Sequence, residues 1–197
     1  WMDEGFTSYI DDVALNVVLN KGKDLPNEKA YDDYFKWVAT GLEEPMTTHA
    51  DRFRYNDSYG MSAYDKGSIF LSQLQYIIGK ENFNNTLKKY FDDWSFKHPK
   101  PNDFIRSAEK ISGLELDWYL LDWAQSTMTI DYSVNSIYGT DNKTKLVLRR
   151  IGQMGMPIDL NIILKSGKVL KYNIPMTKMR GNKPSGSSTL LKSWSWA

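Results

Sequence analysis

Apolar residues recur every three or four positions through the first two thirds of the chain and every second position in the last third. Phe6, Tyr9, Ile10, Val13, Ala14, Val17 and Val18 predict a first helix with one buried stripe. Asp3 and Glu4 stand in its first turn, where the helix dipole favours negative charge, and Gly22 is a stop. Tyr31, Tyr34, Phe35 and Val38 predict a second helix ending near Gly41. From Glu43 to Ala63 no period is sustained, which predicts a long ordered loop; loops of that length in a compact domain are often functional. Tyr64 then opens a helix through Phe70, Leu71, Leu74, Ile77 and Ile78, closed by Gly79. Phe83, Leu87, Tyr90, Phe91 and Trp94 mark the next. After Pro99 and Pro101, Asn102 reads as the N-cap of a helix reaching Ile111, with Gly113 as its stop. A last helix carries Trp118, Leu120, Leu121 and Trp123 and ends near Thr127.

From Thr129 the pattern is that of strands. Ile130, Tyr132 and Val134 alternate with polar neighbours, as do Leu146 and Leu148. Ile158, Leu160, Ile162 and Leu164 form one strand face, and Leu170, Tyr172 and Ile174 another, with Ser166-Gly167 as the hairpin turn between them. The stretch from Arg180 to Thr189, rich in Gly, Ser and Lys, reads as a flexible loop. Trp194 to Ala197 end without a clear stop, so the β module is expected to be incomplete. The organisation is a helical block over residues 1–128 joined to an antiparallel module over 129–197.

Composition narrows the function classes. The 25 basic and 24 acidic residues nearly cancel, to a net charge of +1, and this argues against nucleic acid, which needs a concentrated basic face. No apolar run is long enough to span a bilayer. Cysteine is absent, so disulfides and thiolate metal sites are excluded. The chain opens on Trp1 with no charged-then-apolar leader, so the natural N-terminus is expected upstream and the compartment stays unassigned, as does the oligomeric state. Aromatic residues make up 14% of the chain, including 7 Trp and 12 Tyr, which predicts large buried interfaces.

No segment alone holds a complete catalytic set. The histidines are His49 and His98, too few for H-E-x-x-H, and both fall in predicted loops. Gly-rich phosphate loops and Gly-x-Ser-x-Gly are missing. Two short segments are more specific: Trp1-Met2-Asp3-Glu4-Gly5-Phe6-Thr7-Ser8-Tyr9, and Tyr59-Gly60-Met61-Ser62-Ala63-Tyr64-Asp65-Lys66-Gly67. Together, in this order, they resemble the gluzincin zinc metallopeptidases, the family of aminopeptidase N and leukotriene hydrolase. The resemblance implies that Glu4 of the Trp-x-x-Glu-Gly segment is the third zinc ligand beside two histidines of an upstream H-E-x-x-H helix. It implies that Tyr64 of Tyr-x-Lys-Gly faces the scissile carbonyl as the catalytic tyrosine, and that Tyr59 lines the substrate site. The fold so implied is an α+β multidomain fragment: the mainly helical C-terminal half of a thermolysin-like catalytic domain, then a β-sandwich-like module.

The activity implied is hydrolysis of N-terminal peptide bonds by zinc-activated water, on a peptide with a free N-terminus. This chain lacks H-E-x-x-H and the Gly-x-Met-x-Asn segment that binds the substrate amine in the family. Taken alone it is therefore expected to be inactive and to hold no catalytic Zn2+, which belongs to the full-length parent. Read from the residues without the resemblance, Glu4 is a solvated first-turn glutamate and Tyr64 a core tyrosine at a helix start. By the same reading Lys66 is a surface charge, for which the resemblance implies a structural role instead, Gly67 permits close packing and Tyr59 anchors a loop. Two other functions stay open: a non-catalytic binding or scaffold module on a metallopeptidase-derived frame, and a relative with epoxide hydrolase chemistry.

Overall fold

A computed structural model describes residues 1–140, 143–176 and 179–191. The chain divides into two compact units, Trp1–Thr127 and a second that begins at Met128. The first is helical: α1 (Glu4–Val18), α2 (Glu28–Val38), α3 (Asn56–Gly60), α4 (Lys66–Ile78), α5 (Lys80–Trp94), α6 (Pro101–Ser112) and α7 (Asp117–Ala124). The second holds strands β1 (Tyr132–Thr140), β2 (Lys143–Arg150), β3 (Ile158–Ile163), β4 (Val169–Ile174) and β5 (Thr189–Leu190). The class is α+β.

The core of the helical unit is α4. Ile69, Phe70, Leu71, Leu74, Ile77 and Ile78 are all buried, so this helix is enclosed rather than two-faced. Helices α1, α2 and α5 pack around it, and α6 packs on α5. Rings join the layers edge to face: Phe6 on Phe104 at 4.8 Å, Tyr90 on Phe104 at 5.1 Å and Tyr9 on Phe83 at 5.6 Å. Buried Tyr119 of α7 donates its hydroxyl to the Phe70 carbonyl at 2.6 Å. Each fully buried aromatic or aliphatic side chain contributes about 1.5–3 kcal/mol, so α4 and its wrapping dominate the unit's stability.

Helix α1 does not bury the stripe that its period predicts. Gly5 and Tyr9 face the core, while Ala14 is exposed and Ile10, Val17 and Val18 are 48%, 68% and 74% exposed. The cause is the crossing of α1 over α4, which is made by Gly5 and so turns the glycine side of the helix inward. The unpatterned segment Glu43–Ala63 is a loop only as far as Tyr55, apart from a short turn at Ala50–Arg52. Helix α3 begins at Asn56, and Gly60 has ordinary helical angles of −55° and −53°. Asn102 lies inside α6 rather than capping it. Pro101 starts that helix at its first position, where a missing N–H costs nothing, and the Asp103 carboxylate accepts from the Lys100 N–H at 2.8 Å. Gly113 ends α6 in the left-handed conformation, as expected.

In the second unit β1 pairs antiparallel with β2 across a bulge between Val134 and Ser136. The hairpin of β3 and β4 runs from Ile158↔Ile174 to Ile163↔Val169, turning at Ser166-Gly167 with Gly167 at φ +80°. Not every pair is antiparallel, however: β5 runs parallel to β4, with Tyr172 opposite Thr189. The stretch read as a flexible loop is tied to this sheet, because Lys183 reaches Asp159 at 2.7 Å and the Leu191 N–H donates to the Asn173 carbonyl at 2.9 Å. Trp194 to Ala197 lie outside the described residues. No helix among the described residues is long and apolar enough to cross a membrane.

Candidate functional site

The two motif segments meet at a pair of glycines. A Cβ on Gly5 would stand 2.6 Å from the Gly67 Cα, and one on Gly67 would stand 2.7 Å from the Gly5 Cα. Real side chains do not approach so closely, so α1 and α4 touch backbone to backbone here, which only glycine allows. Trp1 sets the approach: its ring packs on Phe70 at 5.0 Å, and its carbonyl accepts from the Gly5 N–H at 2.8 Å. One residue before Gly5 and three before Gly67 stand Glu4 and Tyr64.

Tyr64 lies in a π turn, Met61–Asp65, that joins α3 to α4. The Lys66 N–H donates to the Met61 carbonyl five residues back, which widens the turn and re-aims the side chains on it. The Tyr64 ring is 40% exposed. The half-buried Glu4 carboxylate acts on its hydroxyl, and that interaction raises the phenol pKa above its ordinary value. Partial burial and the charges of Glu4, Tyr59 and Asp3 push in the same direction. Tyr59, half-buried, packs edge to face on Phe53 at 5.7 Å. The chain therefore brings Glu4, Tyr64 and Tyr59 to one place. It sets a carboxylate close to a phenol that keeps its proton at neutral pH, an oxygen acceptor near a hydrogen-bond donor.

Lys66 is a correction. The surface charge expected from sequence is fully buried, and its ammonium meets Glu43 at 2.6 Å and the Ser126 carbonyl at 3.1 Å. It also lies 5.9 Å from the centre of the Tyr34 ring. Burial lowers the Lys66 pKa and the Glu43 carboxylate opposes that shift. The Tyr34 hydroxyl donates to the same Glu43 oxygen at 2.9 Å, and its pKa is driven well up by burial and by that carboxylate. Neither Glu43 nor Tyr34 stands out as functional in the sequence. The signal available was Lys66 itself, set in a run whose next five residues are uncharged and mostly apolar. The histidines contribute elsewhere: His49 caps the turn at Ala50–Arg52 by accepting from the Asp51 N–H at 3.2 Å, and His98 is exposed.

Residues 1–123, which contain the motif residues just described, match the Peptidase family M1 domain. The chain belongs to peptidase family M1. Among the relatives, human endoplasmic reticulum aminopeptidase 2 is 26% identical over 127 residues, covering 60% of this chain and 12% of that protein. Tricorn protease-interacting factor F2 of Thermoplasma acidophilum is 27% identical over 112 residues, 54% of this chain and 14% of the relative. Rat glutamyl aminopeptidase is 26% identical over 156 residues, 74% of this chain and 15% of the relative. The chain thus spans about an eighth of the length of the first relatives it matches.

A metal bound to an M1 domain can be tested against this geometry. Glu4 fits as a single ligand: its carboxylate is half-buried, at the dipole-positive end of a helix, and of an oxygen type that zinc accepts. No group of three or more His, Asp or Glu side chains among the described residues stands together as a metal site. A catalytic zinc takes three protein ligands, so Glu4 would fill one corner of a set whose other corners are not among the described residues.

Proposed function

We propose that this chain is part of a zinc aminopeptidase that hydrolyses the N-terminal bond of a peptide. In this reading Glu4 is a zinc ligand, Tyr64 the catalytic tyrosine and Tyr59 a wall of the substrate site. The observation that carries it is the backbone-to-backbone Gly5–Gly67 crossing, which sets Tyr64 within the influence of the Glu4 carboxylate inside the residues that match the M1 domain. The first unit is then the helical C-terminal part of the catalytic domain, over residues 1–128, and residues 129–197 a β-sandwich-like module.

The chemistry a bound zinc supplies is activation of a water molecule and polarisation of the scissile carbonyl. The rest falls to side chains. Glu4 presents a carboxylate whose position is set by the first turn of α1. Tyr64 keeps its proton at neutral pH, because every influence on it raises its pKa. A protonated phenol beside a metal ligand is placed to donate to the negative oxygen of the tetrahedral intermediate, and such a donor is worth about 10²–10³ in turnover. Tyr59, packed on Phe53, would form part of the wall of the substrate site. The chain alone contributes one zinc ligand and no general base, so by itself it is inactive.

The test is made in the full-length protein, with aminoacyl and epoxide substrates and with zinc measured per chain. Wild type is expected to bind zinc and to release N-terminal residues. Glu4→Ala is expected to lose most of that zinc together with hydrolysis. A Glu4→Ala protein that keeps its full zinc removes Glu4 from the metal, and a full-length protein that binds no zinc is a scaffold rather than a peptidase.

A further inference from the structure

The helical stretch from Asn56 to Ile78 carries polar side chains at every fourth position on its buried side: Ser58, Ser62 and Lys66. All three are buried, and all three reach the same short segment between α2 and the Ala50–Arg52 turn. Ser58 Oγ donates to the Leu42 carbonyl at 3.0 Å and Ser62 Oγ to the Glu44 carbonyl at 3.1 Å. Lys66 Nζ donates to the Glu43 carboxylate at 2.6 Å. The segment is pinned from its other side as well. Tyr34 of α2 holds Glu43, the Arg54 N–H donates to the Glu44 carboxylate at 3.1 Å, and the Thr47 N–H donates to the Ala124 carbonyl at the end of α7. Lys66 also reaches Ser126, just past α7, so a single ammonium ties two separate stretches of chain to the start of α4.

Tyr64 sits between the last two pins. At about 100° per residue it projects roughly 160–200° away from Ser62 and Lys66, so the pins hold one side of the turn while the phenol occupies the other. A π turn has one residue more than the helix around it, and its rotation about the helix axis is not set by the regular ladder alone. A small rotation there would swing the phenol off Glu4 without unfolding anything. Of the two pins that bracket Tyr64, Ser62 is a neutral hydrogen bond, whereas Lys66–Glu43 is a buried ion pair with side chains 1% and 7% exposed.

We propose that Lys66 and Glu43 are positioning residues for Tyr64: their buried ion pair, with Ser62, fixes the rotation of the π turn so that the phenol meets the Glu4 carboxylate. The pair touches no substrate and acts through Tyr64. This rests on the aminopeptidase reading for its catalytic consequence, but the placement of Tyr64 does not.

The experiment uses the full-length protein and the double variant Lys66→Met, Glu43→Gln. Removing both charges avoids stranding one of them, and the introduced glutamine amide still offers an oxygen to Tyr34. Three readouts are taken. The variant is expected to keep zinc and melting temperature close to wild type. Its kcat is expected to fall about tenfold or more with KM changed less than about threefold. In a crystal structure the Tyr64 hydroxyl is expected to have left the Glu4 carboxylate. The same double change is then placed on a Tyr64→Phe background, where a pair that acts only through the phenol leaves less than about a twofold further loss. An equal loss in both backgrounds, or an unmoved Tyr64 in the crystal, overturns the proposal. If Tyr64→Phe by itself leaves turnover at wild type, the catalytic reading fails. The crystal then decides the positioning claim alone: a displaced Tyr64 upholds it and an unmoved one overturns it.

Discussion

Tyr64 and Lys66 are two residues apart in one turn, and each is paired with a glutamate, yet they do opposite work. Tyr64 is partly open to solvent and meets Glu4, which stands 60 positions away at the head of α1. Lys66 is enclosed and meets Glu43 at 2.6 Å. An exposed phenol–carboxylate bond adds little to folding, because water competes for both partners. A buried ion pair adds little net stability once desolvation is counted, but breaking it is costly, because a charge is left without a partner. The two pairs therefore differ in what they leave open: under the proposed function the exposed one is free to act on a substrate, and the buried one is not.

The largest effect expected comes from stranding a charge on the buried side. Lys66→Ala leaves Glu43 enclosed and is expected to lower unfolding free energy by about 3–5 kcal/mol in denaturant titration. A loss below about 1 kcal/mol would mean that Glu43 escapes to water and that the buried side is not rigid. Alkaline pH attacks the same side. Tyr34 and Tyr9 have folded pKa values raised above the ordinary 10, Tyr9 to about 12. A raised folded value means the native state holds the proton more tightly. That stability is complete below pH 10 and is lost as pH climbs through the folded values, about 3 kcal/mol for Tyr9 alone. Lys66 works the other way, since its lowered pKa favours the native state as pH rises toward 10.5. Net loss of stability between pH 10 and 12, followed by melting temperature, is the expected outcome, and a flat profile would show that these phenols are not buried.

A smaller effect is expected at the crossing. Gly67→Ala puts a methyl 2.7 Å from the Gly5 backbone and is expected to cost about 1–3 kcal/mol by pushing α1 from α4. Because the crossing is what brings Glu4 to Tyr64, turnover in the full-length protein should fall by more than the stability loss explains. Equal stability and turnover to wild type would show that the helices can part without disturbing the site.

Much of this was legible in the chain and some was not, for physical reasons. The helices around Leu74, Phe83 and Phe104 are plain in the spacing because enclosed apolar residues leave a period. The two glycines were legible only as parts of motifs; their meeting is a tertiary fact. That meeting also explains the largest misreading. Periodicity reports that α1 has an apolar stripe, not what covers it, and the crossing at Gly5 faces Val17 and Val18 outward. The burial of Lys66 and its partner Glu43 were missed because residue type sets a prior for exposure that a specific partner can override. The start of α3 was hidden because its five residues, Asn56–Gly60, are too few and too polar to leave a period. Strand β5, two residues long and parallel to β4, leaves no pattern to read.

The most direct measurement on the central claim, that the open pair is chemical and the closed pair structural, is zinc content and turnover of the full-length Tyr64→Phe variant beside its melting temperature. Zinc and melting temperature are expected to match wild type while turnover falls about 10²-fold or more, the loss of one hydrogen bond to the oxyanion. Wild-type turnover, or zinc and stability lost together with activity, would contradict it.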